Sequence, residues 1–419
     1  MLHDKDPKQY WKLIEELKDT EKIDTTSSIS TSTWQSHFQN LNNPKDIYKN
    51  RIKWLEDKLS QLEKIKCFTD IDGKITEAEI NSAIKEMKSN KSTGLDNISN
   101  EMLKSGQSFL IPCLHNLFNN CFTMGYYPEN WTHGYITPIH KGNDPSDPNN
   151  YRGITITNSL GKLFNRILDN RLTKFLDKHH VINDSQMGFT KKARTSDHMF
   201  ILKTIIDKYC NNKDCRVFAC FVDFQKAFDT VIHTGIKIKL LENGIGHHFY
   251  NIIKSMYSQS KSCVRLNNTL TDFFGNYVGV KQGDNLSPNL FKIFINDLPE
   301  YLMNTTNPIF INKLSVHCLL YADDVILLSS TSQGLQNKLN KLNVYCNDWC
   351  LNINVTKTKV LVFNRAGRHF KQKFLFNGNA IECVSQYKYL GIQFCASGSF
   401  SPAQKELYSK ALYFIWTKR

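Results

Sequence analysis

Two places in the sequence put carboxylates beside runs that read as buried strands. In Cys318-Leu319-Leu320-Tyr321-Ala322-Asp323-Asp324-Val325-Ile326-Leu327-Leu328, two apolar runs flank an acidic pair. That symmetry predicts a hairpin with the acids at its tip. Aspartate is a turn former, so an ordinary turn is the plainer reading. Turn pairs usually include Gly or Asn, however, and adjacent carboxylates repel each other and resist burial unless a cation compensates. Val217-Phe218-Ala219-Cys220-Phe221-Val222 reads as a buried strand that ends on Asp223. Taken alone, Asp223 would pass for a helix N-cap, because Gln225-Lys226-Ala227-Phe228 opens a helical pattern. Three carboxylates on adjoining strands could instead hold two hard divalent cations about 4 Å apart. That arrangement serves in-line phosphoryl transfer, one ion activating an attacking hydroxyl and the other stabilising a leaving pyrophosphate.

A third element lies between them. Gly279-Val280-Lys281-Gln282-Gly283-Asp284-Asn285-Leu286-Ser287-Pro288 is turn-rich and precedes an apolar helix expected over 289–298. Ser287 is a natural N-cap and Pro288 a natural first helical residue. Gly283 would let the backbone approach a ligand closely. A plain helix-entry loop is the alternative.

The elements that must position these groups follow from periodicity. Thr76-Glu77-Ala78-Glu79 opens a helix carrying Ile80, Ile84 and Met87. Helices are expected over 110–122 and 160–176, with short strands over 135–160 broken by a loop at 142–150. Residues 1–74 read as a polar, partly helical leader. Its apolar spacings centre on Trp11, Leu13, Ile14 and Leu17 and on Leu55, Leu59, Leu62 and Ile65, with a Ser/Thr-rich linker at 25–33.

Composition narrows the class. The 419 residues carry 53 Lys+Arg against 39 Asp+Glu, a net charge of +14 that favours a polyanionic partner. No apolar run is long enough for a membrane span, and the N-terminus does not read as a secretory signal. The 12 cysteines are scattered without a Cys-x-x-Cys pair and read as reduced thiols of an intracellular protein, nuclear or cytoplasmic. A zinc site through Cys346, Cys350 and a distant His is the weaker reading. The Walker loop, the dinucleotide glycine fingerprint and His-Glu-x-x-His are absent, which removes many NTPases, dehydrogenases and metalloproteases. Between Asp348 and Glu382 no acid occurs, while Lys357, Lys359, Arg365, Arg368, Lys371 and Lys373 do, as a phosphate-backbone partner would favour.

Together, Phe221-Val222-Asp223-Phe224-Gln225-Lys226-Ala227-Phe228-Asp229, Gln282-Gly283-Asp284-Asn285-Leu286-Ser287-Pro288 and Tyr321-Ala322-Asp323-Asp324 resemble motifs A, B and C of reverse transcriptases. Asn149-Asn150-Tyr151-Arg152-Gly153-Ile154, Gln186-Met187-Gly188-Phe189, the stretch from Leu351 to Lys359 and Tyr387-Lys388-Tyr389-Leu390-Gly391-Ile392 extend the resemblance. The set is similar to the enzymes of non-LTR (LINE-type) retrotransposons and covers roughly 75–395. The resemblance implies an α+β right-hand polymerase with fingers and an antiparallel palm sheet packed on helices over 75–395. A truncated thumb or connecting helix would start at 396–419, and no endonuclease module is expected before the polymerase. It makes Asp223, Asp323 and Asp324 catalytic metal ligands for two Mg2+, with Mn2+ as a substitute. Phe228 becomes a gate against the ribose 2′-hydroxyl. Gln282 and Gly283 become pocket lining, and Lys141, Arg152 and Lys357 become nucleotide-binding cations. The implied partners are an RNA template, a DNA primer and dNTPs. Thr190, Ala193 and Gly153 depart from the usual Arg, Gly and Pro. An inactive remnant that only binds nucleic acid is the competing reading.

Overall fold

The computed structural model describes residues 29–64, 70–190, 193–211, 215–267, 269–401 and 404–409. The spacings expected around Trp11, at Ile65 and across 410–419 lie outside them. The architecture is mixed α+β, with four sheets among the described residues and many helices packed around them.

A six-stranded sheet positions the acids. It has the order β12-β13-β11-β3-β10-β9, with β3 Arg216–Asp223, β9 Cys318–Tyr321, β10 Asp324–Ser329, β11 Lys359–Asn364, β12 Phe374–Phe376 and β13 Asn379–Val384. All pairs are antiparallel except β11 with β13. β3 is apolar on both sides because both faces of this sheet are covered. Phe218, Cys220 and Val222 face the large helical core. Val217, Ala219 and Phe221 face a second cluster built from Met199, Leu202, Ile205 and Ile206 of the helix Thr195–Cys210. The hairpin of β14 (Gln386–Tyr389) and β15 (Ile392–Cys395) closes this second face.

A second sheet holds β1 (Gly134–His140) and β2 (Tyr151–Thr157), the short strands expected on either side of the 142–150 loop, as an antiparallel pair. It continues through β4 (Lys261–Leu266), which pairs with both β5 (Thr269–Leu270) and β6 (Phe274–Gly275). β7 (Ile309–Ile311) and β8 (Leu314–Val316) form a small hairpin. Helices expected near 110–122 and 160–176 run over Gln107–Met124 and Ser159–Lys178. Thr76 caps Glu77–Glu86 through a full capping box with Glu79.

Two local expectations are corrected. The Ser/Thr-rich stretch 25–33 is not a linker throughout, because Ser30 caps a helix, Thr31–Leu41, by accepting from Thr33 N at 3.1 Å. That helix and the following one, Lys49–Leu62, are packed rather than loose. Trp34 is fully buried and meets Tyr151 of β2 edge-on at 4.8 Å. Tyr48 Oη donates to the Leu351 carbonyl at 3.1 Å, and Arg51 pairs with Asp348 at 3.0 Å. Second, the helix expected over 289–298 spans Ser287–Ile295, so Ser287 lies inside it and is not its N-cap. Its hydroxyl instead donates to the Lys281 carbonyl at 2.8 Å, and Asp284 caps the turn by accepting from Leu286 N at 2.9 Å.

Cys346 and Cys350 are buried in the main core, and among the described residues no three His, Cys, Asp or Glu side chains form a ready-made metal cluster. The zinc reading is therefore dropped. Among the described residues no helix is long and apolar enough to cross a membrane.

Trp34→Ala should cost about 3–5 kcal/mol, the range for emptying a fully buried aromatic site. Urea unfolding monitored by circular dichroism checks this; a change under 1 kcal/mol would mean that the helix Thr31–Leu41 is not part of the folded unit.

Candidate active site

Strand register brings the acids together. β10 runs antiparallel to β3 with Asp324 directly opposite Asp223, Val325 opposite Val222 and Ile326 opposite Phe221. Directly opposed residues of an antiparallel pair lie about 4.5–5.5 Å apart at Cα. Alternation puts both aspartates on the face that carries Phe221 and Ile326. β9 and β10 form the expected hairpin, with Tyr321 opposite Asp324 and only Ala322 and Asp323 in the turn. Asp223 does not cap a helix, since the next helix begins only at Ala227.

The turn is strained and externally clamped. Ala322 has φ +60°, a left-handed conformation that normally falls to glycine or asparagine. Gln186, buried, holds it in place. Its Oε1 accepts from Ala322 N at 3.0 Å and from Gly188 N at 2.9 Å. Flanking backbone completes the clamp: Leu320 N donates to the Ser185 carbonyl at 2.8 Å and Met187 N to the Leu320 carbonyl at 2.9 Å. A Cβ on Gly188 would lie 2.0 Å from Ala322 N, so only glycine fits there. The sequence singled out this Gln-Met-Gly segment without a role, because the turn it holds lies 136 positions away.

The carboxylates are half-buried and short of partners. Among the described residues no hydrogen bond from another residue reaches the carboxylates of Asp223, Asp323 or Asp324, whereas Asp169, Asp229, Asp284 and Asp297 all accept one. Burial, then repulsion from Asp323 and Asp223, pushes the Asp324 carboxyl up to about 6. Burial also raises Asp223 and Asp323, with Lys357 and Lys141 opposing the rise at Asp223 and Arg152 and Lys141 opposing it at Asp323. Buried polar groups almost always find partners. Three carboxylates without a donor from another residue have the chemistry of hard-cation ligands, although, among the described residues, they do not close into a ready-made metal cluster as they stand.

The other sequence candidates surround this trio. Lys141 follows β1 and Arg152 lies on β2, both exposed. Lys357 sits in the turn after Asn354, whose backbone N–H donates to the Asp223 carbonyl at 2.8 Å. Phe228 stacks on Phe291 at 4.6 Å and meets the edge of Phe189 at 6.0 Å. The 279–283 loop is pinned beside it: Val280 N donates to the Phe228 carbonyl at 2.8 Å, and Thr155 N to the Gln282 carbonyl at 2.8 Å. Gly283 has φ +109°, and its close approach is to the Thr155 carbonyl of β2, where a Cβ would come within 2.9 Å.

Two participants were missed in the sequence. Asp229 accepts from Gln282 Nε2 at 2.8 Å and interacts with Lys226, Lys141 and Arg152. Burial pushes its carboxyl up to about 6. Lys226, at φ +52°, donates to Asn149 Oδ1 at 3.1 Å and adds a fourth cation. Both lie within the apolar-strand-to-helix segment, where a charged residue every few positions was the available signal.

Comparison with known proteins agrees with this geometry. The family model described as reverse transcriptase (RNA-dependent DNA polymerase) matches residues 139–394. The chain is 32% identical over 346 residues to the probable RNA-directed DNA polymerase from transposon BS of Drosophila melanogaster, covering 78% of this chain and 36% of that protein. It is 28% identical over 335 residues to the RNA-directed DNA polymerase from mobile element jockey of the same organism, covering 78% and 36%. It is 26% identical over 336 residues to the Pol polyprotein from type-1 retrotransposable element R2 of Nasonia vitripennis, covering 78% and 32%. The chain thus spans about a third of the length of these relatives.

The raised Asp324 carboxyl has a stability consequence with a definite sign. Its folded value, about 6, lies above the unfolded 3.8, so the folded state binds the proton more tightly. Folding stability therefore falls as pH rises from about 4 to 6 and stays reduced above. Asp324→Asn should gain about 1–3 kcal/mol over the wild type at pH 8 in metal-free buffer, with the gain fading below pH 4. Chemical denaturation at the two pH values checks this; a variant less stable than wild type at pH 8 contradicts it.

Proposed function

The chain belongs to the reverse transcriptase (RNA-dependent DNA polymerase) family, similar to those of non-LTR retrotransposons, and from that premise we propose that it extends a DNA 3′-hydroxyl on an RNA template by two-metal nucleotidyl transfer. The observation that carries the proposal is the register pairing of Asp223 with Asp324, with Asp323 in the adjoining turn and, among the described residues, no hydrogen bond from another residue on any of the three carboxylates.

In this reading residues 75–395 make up fingers and palm, the six-stranded sheet being the palm and the β1–β2 sheet part of the fingers, and 396–419 lead toward a thumb. Asp223, Asp323 and Asp324 hold two divalent cations, Mg2+ being the hard ion that suits an all-carboxylate set. Bound there, such ions supply Lewis-acid activation of the attacking hydroxyl and neutralise charge on the leaving pyrophosphate. The protein's own groups do the rest. Lys141, Arg152 and Lys226 converge near Asp229 and present a cationic wall for a triphosphate; Arg152 offers a planar fork for phosphate oxygens. Lys357, near Asp223, is placed to give a proton to the departing pyrophosphate. Gln282 and Gly283 line the nucleotide pocket, and Asp229 fixes the Gln282 amide. Phe228, held by its stack on Phe291, crowds the sugar and disfavours a 2′-hydroxyl. The net charge of +14 supports a nucleic-acid duplex as partner, gripped through its backbone with a strong salt dependence.

Primer extension on poly(rA)/oligo(dT) with dNTPs and Mg2+ tests the proposal. Extension should occur in the wild type and fall by more than about 100-fold in Asp323→Ala, beyond what loss of an outer-shell metal contact costs. Salt-sensitive hybrid binding without extension would favour the inactive-remnant reading instead. Phe228→Val should raise rNTP incorporation relative to dNTP; an unchanged ratio would remove Phe228 as the sugar gate.

A further inference from the structure

Below the carboxylates lies an aromatic layer to which the polymerase reading gives no role. The hairpin β14–β15 turns through Leu390 and Gly391, both at positive φ (44° and 85°). Leu390, like Ala322, is a non-glycine residue in the left-handed region. The fold therefore holds two strained two-residue tips, Ala322-Asp323 and Leu390-Gly391. The residue before each tip is a tyrosine, Tyr321 before the first and Tyr389 before the second.

One buried side chain touches both tyrosines. His198, from the helix Thr195–Cys210, has its Nε2 3.0 Å from Tyr389 Oη. Its ring centre lies 5.7 Å from Tyr389 and 5.7 Å from Tyr321, which it meets edge-on. The imidazole is fully buried, and its Nδ1 has no partner among the described residues. Phe221 stacks on Tyr387 at 4.6 Å and lies 5.2 Å from Tyr389, tying the same hairpin to the strand that ends on Asp223. After burial, Asp223 and Asp324 raise the Tyr387 hydroxyl, and Asp324 and Asp323 are among the groups that raise Tyr389, so this hairpin stands close to the carboxylates.

An apolar side chain here would remove the unpaired Nδ1 but would leave the buried Tyr389 hydroxyl without the imidazole as its partner, and burying an unpaired polar atom is costly. A directional contact is what the imidazole adds. Burial pushes His198 down to about 4, so at neutral pH the ring is uncharged and can share one directional hydrogen bond with the tyrosine hydroxyl.

We propose that His198 is a positioning residue that fixes the spacing between the two tips through Tyr389 and Tyr321, and thereby holds the turn that carries Asp323 in its place. This rests on the polymerase reading above. The hydroxyl–imidazole bond locks the second tip, and the edge contact on Tyr321 locks the first. A displacement on the order of 1 Å between reacting groups can cost about 100-fold in rate, so loosening the link should lower turnover rather than nucleotide affinity.

The test is a double-mutant cycle in steady-state primer extension, with each variant first checked for cooperative unfolding. Tyr389→Phe removes only the hydroxyl and should lower kcat about 10-fold, with the dNTP KM unchanged within twofold. His198→Phe should do the same. The double variant should be no slower than the slower single variant, because both remove one shared bond. His198→Gln, which restores a hydrogen-bonding group near the position of Nε2, should recover at least a third of wild-type kcat. Multiplying losses in the double variant, a defect in KM alone, or a His198→Gln variant as slow as His198→Phe would overturn the proposal. Should His198→Phe fail to fold, a Tyr389→Phe kcat equal to wild type overturns it. A wild type without Asp323-dependent extension would refute the polymerase reading itself, whereas an active wild type with additive losses refutes only the role of His198.

Discussion

Like charges held face to face in a strand register are the constraint on which this structure depends. Asp223 and Asp324 oppose each other across β3 and β10, Asp323 occupies the adjoining turn, and among the described residues no other residue donates to their carboxylates. Each is driven toward its protonated form, Asp324 to about 6. Such an arrangement destabilises the isolated fold, and the surrounding protein holds it in place by packing. β3 and β10 are apolar and covered on both faces, so the register cannot slip without exposing a core.

The clamps around the tip follow the same logic. Ala322 keeps a left-handed backbone while Gln186 binds its amide, and Gly188, having no Cβ, lets the two backbones come this close. Fixed strain of this kind gathers at functional sites, where the surroundings over-determine an unfavourable conformation. Lys226, Lys141 and Arg152 act on the buried Asp229, with Gln282 tied into it, while Lys357, Lys141 and Arg152 also act on Asp223 or Asp323.

Much of this was legible in the sequence, and the reasons are physical. An apolar run interrupted by paired acids breaks a local rule, and that violation located Asp323 and Asp324 before any coordinates did. The Asp223 strand was readable as an unbroken apolar run and the helix Ser159–Lys178 from its long helical spacing; strands were readable on either side of the 142–150 loop, but their pairing was not. Register was not, since nothing local says that Asp324 rather than Asp323 faces Asp223. Asp229 and Lys226 were missed because their partners Gln282 and Asn149 lie 53 and 77 positions away. Ser287 was misread as a cap because its hydroxyl bonds back to Lys281 instead of forward into the helix. The Ser/Thr-rich stretch was read as a linker although the same residues make good caps, and composition alone does not separate the two roles.

The central claim is that the three carboxylates act as one ligand set for divalent cations. Electron paramagnetic resonance titration with Mn2+, in the presence of template–primer and a non-hydrolysable dNTP, measures this directly. Two bound ions in the wild type, and loss of at least one in both Asp223→Asn and Asp324→Asn, is the result this account predicts. The same Mn2+ stoichiometry and affinity in all three proteins would contradict it.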